Sequence, residues 1–348
     1  KTLCVGSYGS DLTRGIYAFH IDIDNGEILK KKFYKSMASP SVLYRRERFI
    51  YTCYQNNSGQ ITDGGVWQYA AMDLQFGLAA RVYYQGKTYV SCFVNEDRSY
   101  AYAVDYYNGE IIVIPILKQK IVKVSQVIKH TGKSIDVKRQ AEAHPTFIDE
   151  TPDHQRLFVC DLGMDEVVVY KIKNLGQLEK DEENSFKVTA GSGPKKMIFS
   201  KDGKFAYLLN ELSSQVSVYA YDNCHFTHIQ DIDTYPKDEY KGENLGGDIV
   251  LSDKNDYLFV TNRGHDSVAA FKVDEESGKL EYIEFLDTDD NPVALALIND
   301  RWLIVAAKKG GTLESFELKR GESKGCLFET HFTYMVGEPV CMIEGRGL

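Results

Sequence analysis

The chain has 348 residues, 43% of them hydrophobic, enough to bury a sizeable core in one large domain or two ordinary ones. Its formal net charge of −9 argues against a nucleic-acid partner, which needs a basic field. No apolar run approaches the roughly 18–20 residues of a membrane helix, so no membrane association is expected.

Taken from the N-terminus, the chain repeats one unit. Seven apolar runs end in a small or polar residue: LCVGSYG (3–9), FIYTCYQ (49–55), AYAVDYY (101–107), LFVCDLG (157–163), AYLLNEL (206–212), LFVTNRG (258–264) and LIVAAKK (303–309). A short turn and a second strand pattern follow each one, as in RGIYAFHI, DEVVVYKI and DSVAAFKV. Most runs are preceded by another short strand that opens on X-Pro: SPSVLY, HPTFID, GPKKMIF and NPVALAL. Outer turn-and-strand pieces such as EESGKLEYI (275–283) complete the unit.

Four strands in a repeat of about 50 residues is the content of a β-propeller blade. The fold class expected is therefore all-β: a seven-bladed β-propeller, four antiparallel strands per blade, forming a single domain over 1–348. Segment 337–345, GEPVCMIEG, reads as an extra opening strand that pairs with the N-terminal repeat and closes the ring. Tandem β-sandwiches would explain the strand density, but not the constant register of seven matched runs. Stretch 118–139 is rich in lysine and is read as the long connection between the third and fourth repeats. The seven cysteines, Cys4, Cys53, Cys92, Cys160, Cys224, Cys326 and Cys341, form no CxxC pair. They are expected to be buried free thiols of a reducing, cytoplasmic compartment.

The fifth residues of the matched runs are Ser7, Cys53, Asp105, Asp161, Asn210, Asn262 and Ala307. In a propeller the residue after each would line one mouth of the central channel: Tyr8, Tyr54, Tyr106, Leu162, Glu211, Arg263 and Lys308. The innermost strands add His144, Thr146, Lys195, Lys196 and Asp248. Glu, Arg, Lys and His in one concavity suit a small anionic substrate, with Tyr8, Tyr54, Tyr106, Asp248 and Lys308 as candidate substrate contacts. The structural alternatives are plain: solvated strand ends, a Glu211–Arg263 ion pair, and a turn histidine at 144.

The blocks GSGPKKMIFSKDGKFAYLLNELSSQVSVY (191–219), LFVTNRGHDSVAAFKV (258–273) and HTGKSIDVKRQAEAHP (130–145) resemble the lactonase family of seven-bladed propellers. That family includes a 6-phosphogluconolactonase and a carboxy-cis,cis-muconate lactonising enzyme. The resemblance runs from CVGSYG (4–9) to the C-terminus and is strongest between 130 and 275. It implies His144, Lys195, Glu211 and Arg263 as the catalytic set. Lys195 stands where the family has Arg, which keeps the charge and loses the bidentate fork. Thr146 replaces a second family histidine, and the family's AEIH stretch reads GDIV here, with Asp248 and Val250.

The implied activity is hydrolysis of a sugar-acid lactone, foremost 6-phosphogluconolactone. Glu211 or His144 would activate water, and Arg263 and Lys195 would stabilise the oxyanion or hold the anionic tail. Muconate-type lactonisation by the same residues and a non-catalytic binding propeller are the alternatives. The scheme requires no cofactor and no metal. The sequence has no HExxH motif, no phosphate loop and no GxSxG elbow. Oligomeric state is not legible in these patterns.

Overall fold

The seven matched runs all form strands: Thr2–Ser7, Phe49–Ser58, Tyr100–Asp105, Arg156–Asp161, Phe205–Asn210, Tyr257–Arg263 and Trp302–Ala307. Such strands are buried on both faces, as in the all-buried pattern of Thr2–Ser7 and Trp302–Ala307. That burial explains why they read as continuous apolar runs and not as alternating ones. The structure, a computed structural model, describes residues 1–9, 14–37, 39–58, 61–72, 75–321 and 325–345.

The chain divides into two compact units, one formed by 1–37, 198–220 and 227–348, the other by 38–197 and 221–226. The first unit holds three complete antiparallel sheets. In one, Thr2–Ser7 lies between Gly15–Ile21 and Pro339–Glu344, with Ile28–Lys35 at the outer edge. The expected C-terminal strand thus pairs with the N-terminal repeat, in a register that sets Leu3 opposite Glu344 and Gly6 opposite Cys341. The other two sheets run 245–251, 257–263, 267–273, 280–287 and 292–298, 302–307, 312–318, 327–335. Trp302 is fully enclosed among Phe19, Ile28 and Ile304, and its indole N–H donates to the Ile23 carbonyl at 2.9 Å.

The second unit holds the sheets of the second, third and fourth repeats. Its cores gather around Tyr51, Tyr89 and Ile114, and around Tyr102, Ile148 and Tyr170. The long connection after the third repeat forms two further short strands, Lys120–Ile121 and Gln126–Lys129, which pair with Glu110–Leu117. The fifth repeat supplies Pro194–Phe199, Phe205–Asn210, Gln215–Asp222 and His225–Asp233, and the division between the units falls within it. All seven cysteines are buried and free.

Two local devices recur. The inner strands carry a register shift just after they open, between Pro40 and Val42, Pro145 and Phe147, and Pro292 and Ala294. Proline suits the first residue of a strand, and a bulge after it leaves one residue outside the ladder and re-aims its side chain. The second device lies four residues after the matched position. There Asp165, Ser214 and Asp266 adopt left-handed φ values of 51, 52 and 52°, a conformation that short polar side chains tolerate. Their carbonyls accept the amides of Val188, Thr234 and Thr288 at 2.9, 3.0 and 2.9 Å.

Candidate functional site

The fifth residues of the matched runs are sealed from solvent in all seven repeats; Asn210, at 1% exposed, is the least enclosed. Two of the polar members show how they brace turns. Asp105 accepts the Asn108 backbone and side-chain N–H groups at 3.2 and 2.9 Å, and Asn262 donates to the Thr234 carbonyl at 2.6 Å. The residue after each is more accessible at Tyr8, Tyr54, Tyr106, Arg263 and Lys308, but Leu162 is fully buried and Glu211 nearly so.

Within the first unit, Glu211 and Arg263 come together. Arg263 Nη2 donates to Glu211 Oε2 at 2.9 Å and to the Gly246 carbonyl at 3.0 Å. Adjacent repeats make this possible because each strand ends at the same register. The Glu211 carbonyl also accepts the Gly246 amide at 2.9 Å, fixing the opening of the next inner strand. Arg263 Nε is shielded from solvent with no hydrogen-bond partner among the described residues. The side chain as a whole is partly exposed, and its five N–H donors in a rigid fork suit an anionic oxygen.

Also in the first unit, the Lys308 ammonium lies 5.0 Å from the centre of the Tyr8 ring, a cation–π contact. Asp248 is engaged differently. Its Oδ1 accepts the Ile249 amide and its Oδ2 the Leu295 amide, each at 2.9 Å, so it braces two neighbouring inner strands. Val250 packs at the edge of a buried cluster around Phe259.

Within the second unit, Tyr106 and His144 come together. Their rings stack at 4.5 Å with an interplanar angle of 11°, and His144 Nδ1 lies 2.9 Å from the Tyr106 carbonyl. A carbonyl only accepts, so Nδ1 carries the proton and the neutral ring keeps its lone pair on Nε2. Tyr54 stacks instead on Trp67 at 5.2 Å. Lys195 is half-buried on the strand that opens at Pro194, and its carbonyl accepts Thr146 Oγ1 at 2.8 Å. The Thr146 hydroxyl also lies 3.1 Å from the carbonyls of Cys160 and Pro194, so it ties two inner strands together. Lys196 reaches 6.0 Å from the Phe147 ring centre.

Sequence reasoning missed a buried network behind His144. Asp161 Oδ1 accepts the backbone amides of His144 and Met164 at 2.8 and 3.1 Å, while Oδ2 takes His130 Nδ1–H at 2.7 Å. In the neutral ring, His130 Nε2 then accepts the Tyr170 hydroxyl at 2.6 Å. Burial pushes the Tyr170 phenol well above its ordinary value and keeps it a donor. Asp161 was visible as a matched polar position, whereas its partners at 130 and 170 have no spacing that marks them. Among the described residues no three His, Cys, Asp or Glu side chains group as a metal site would need. No helix among them is long and apolar enough to cross a membrane.

Three comparisons bear on identity. Residues 2–344 match the family model described as Lactonase, 7-bladed beta-propeller. A 6-phosphogluconolactonase of Bacillus subtilis (strain 168) is 28% identical over 348 residues, covering 97% of this chain and 96% of the relative. Two solved structures superpose along nearly the whole chain. A protein from Lactobacillus plantarum gives a TM-score of 0.90 at 26% identity, covering 99% of both chains. The periplasmic gluconolactonase PpgL of Pseudomonas aeruginosa gives 0.89 at 26% identity, covering 98% of both. The strand content, the seven repeats and the full-length family match agree, and the chain belongs to the lactonase family of seven-bladed β-propellers.

Proposed function

We propose that the protein hydrolyses a sugar-acid lactone, with 6-phosphogluconolactone as its foremost substrate. The observation that carries this reading is the Arg263–Glu211 pair, a partly exposed guanidinium tied through one nitrogen to a buried carboxylate. The names of the relatives support the substrate class.

In the reaction, a base takes a proton from water as the oxygen attacks the lactone carbonyl carbon. The tetrahedral oxyanion then collapses, the ring C–O bond breaks, and the alkoxide leaving group is protonated. His144, with Nε2 unprotonated in its neutral form, and Glu211 are the two groups suited to accept the proton, a role worth ~10²–10⁴ in rate. Arg263 and Lys195 are suited to hold the oxyanion and the anionic tail. Tyr8, Tyr54, Tyr106 and Lys308 are assigned to substrate contact. Asp248 takes a bracing role in this scheme, since both its oxygens accept backbone amides. Seven buried free thiols suit a reducing cytoplasm.

The test is acid release from fresh 6-phosphogluconolactone above its spontaneous rate, with a carboxylated muconate supplied in parallel. Turnover of the lactone that is abolished in Glu211→Gln and Arg263→Ala supports the reading. Turnover of the muconate alone would make the protein a lactonising enzyme, and turnover of neither would make it a binding propeller.

A further inference from the structure

One short turn in the second unit, DLGMD (161–165), touches the backbone around both candidate groups of that unit. Asp161 Oδ1 accepts the His144 amide at 2.8 Å. Asp165 grips the segment just before Lys195 with both carboxylate oxygens, Oδ2 on the Gly191 amide at 2.6 Å and Oδ1 on the Gly193 amide at 2.7 Å. Asp165 is 3% exposed, so these are buried charge-assisted bonds, stronger than neutral ones. Gly191 and Gly193 have φ values of 85 and 63°, and such a loop has few intrinsic restraints of its own.

Between the two acids, Gly163 lets the chain pass close. A Cβ there would stand 1.9 Å from the Glu142 carbonyl oxygen and 2.8 Å from the His144 nitrogen. The His144 carbonyl in turn accepts the Leu162 amide at 3.0 Å. Three consecutive features of one turn thus fix where residue 144 sits, and a fourth fixes the loop that presents residue 195.

We propose that Asp161 and Asp165 are positioning residues for the lactonase reaction, Asp161 acting through His144 and Asp165 through Lys195. The inference rests on the reading of His144 and Lys195 as catalytic. Displacing a reacting group by about 1 Å costs on the order of 10²-fold in rate, so the two acids act on different kinetic constants. Asp165→Ala frees the loop that carries the anionic anchor and raises KM. Asp161→Ala releases the proton acceptor and lowers kcat. Asp161→Asn keeps an amide oxygen for the His144 and Met164 amides and preserves most of the rate.

The experiment is a pair of double-mutant cycles on 6-phosphogluconolactone, Asp165→Ala with Lys195→Ala and Asp161→Ala with His144→Ala, with hydrogen exchange followed at Gly191 and Gly193. The expected result is a roughly tenfold KM rise in Asp165→Ala with kcat within about threefold, and no further loss when Lys195 is already Ala. Exchange at the two glycines rises in that variant. In the other cycle kcat falls about 10²-fold in Asp161→Ala but within about threefold in Asp161→Asn, which also covers a failure of the alanine variant to fold. Losses that multiply in the double variants, or a KM untouched by Asp165→Ala, would overturn the inference while leaving the catalytic reading standing. Wild-type kinetics in His144→Ala and Lys195→Ala would sink that reading and the positioning role with it.

Discussion

Glu211 in the first unit and His144 in the second are both buried candidates for a proton acceptor, and they are restrained by opposite physics. Glu211, 5% exposed, is a carboxylate held by a cation, with Arg263 Nη2 at 2.9 Å. His144, 8% exposed, is held by a stacked phenol ring and a carbonyl that fixes its tautomer, with no ion pair among the described residues. A charge-held group is locked strongly by its partner. A group held by neutral contacts keeps its lone pair, and its position depends on backbone anchors. The second arrangement suits an acceptor that must gain and release a proton, and the first suits a pair that meets a charged substrate.

The comparison can be broken most forcefully at Arg263. Arg263→Ala removes a cation from the buried Glu211 carboxylate and should lower stability by about 3–5 kcal/mol, whereas removing both charges with Glu211→Met and Arg263→Met should recover most of it. Urea unfolding midpoints read the difference. Equal losses in the single and double variants would show that the pair is not what holds this region.

A second carboxylate shows what happens without such a partner. Desolvation, opposed by the Glu150 amide and by the charges of Lys196 and Arg46, pushes the Asp149 carboxyl up to about 7 from 3.8. A raised acid stabilises the fold fully below its unfolded value and loses that contribution as pH rises through its folded value. Wild-type stability should therefore fall between pH 4 and 7, and Asp149→Asn should gain over wild type across that window. At about 1.4 kcal/mol per unit the gain is bounded near 4 kcal/mol, and the partial exposure of Asp149 makes it smaller. Thermal midpoints at pH 5 and pH 8 check the sign; a gain larger at pH 5 would contradict it.

Smaller effects sharpen the contrast. Tyr106→Leu removes the ring beneath His144 and should cost about 1 kcal/mol beyond lost area, with a larger effect on kcat than on stability. Lys308→Ala removes a cation–π contact at a more exposed place and should cost about 0.5–1 kcal/mol or less, read in the same denaturation series.

Much of this architecture was legible because the blade signal is redundant. Seven buried strands, X-Pro openings and short turns each repeat, so one weak copy does not obscure the period. The closing strand at Pro339–Glu344 could be read because an incomplete N-terminal repeat requires a partner. The Glu211–Arg263 pair followed from equal register in adjacent repeats. Leu162 shows the limit of that rule. Its place in the register is the same, yet the turn of the fourth repeat buries it and uses its carbonyl to hold Gln140 at 2.8 Å.

The network behind His144 was not legible, because His130, in a stretch without periodicity, meets Asp161 and Tyr170 on strands 31 and 40 positions away. Asp161 stood out only as a matched polar position, and nothing in the pattern marked Asp165. Only the folded structure distinguishes an acid that caps its own turn from one that reaches the opening of another strand. The left-handed turn at Ser214 and Asp266 has the same shape, and there the side chains also reach forward, Ser214 Oγ to the Asn244 carbonyl at 3.0 Å and the Asn291 amide to Asp266 Oδ1 at 3.0 Å. The fold thus offers one device to several repeats, and in the fourth repeat it holds the loop just before Lys195.

The most direct measurement is the initial rate of proton release from 6-phosphogluconolactone by folded wild type, Glu211→Gln and His144→Ala, after subtraction of spontaneous hydrolysis. The account predicts clear acceleration by the wild type and losses of about 10²-fold or more in both variants. Wild-type rates in both variants, or no acceleration by the wild type, would contradict it.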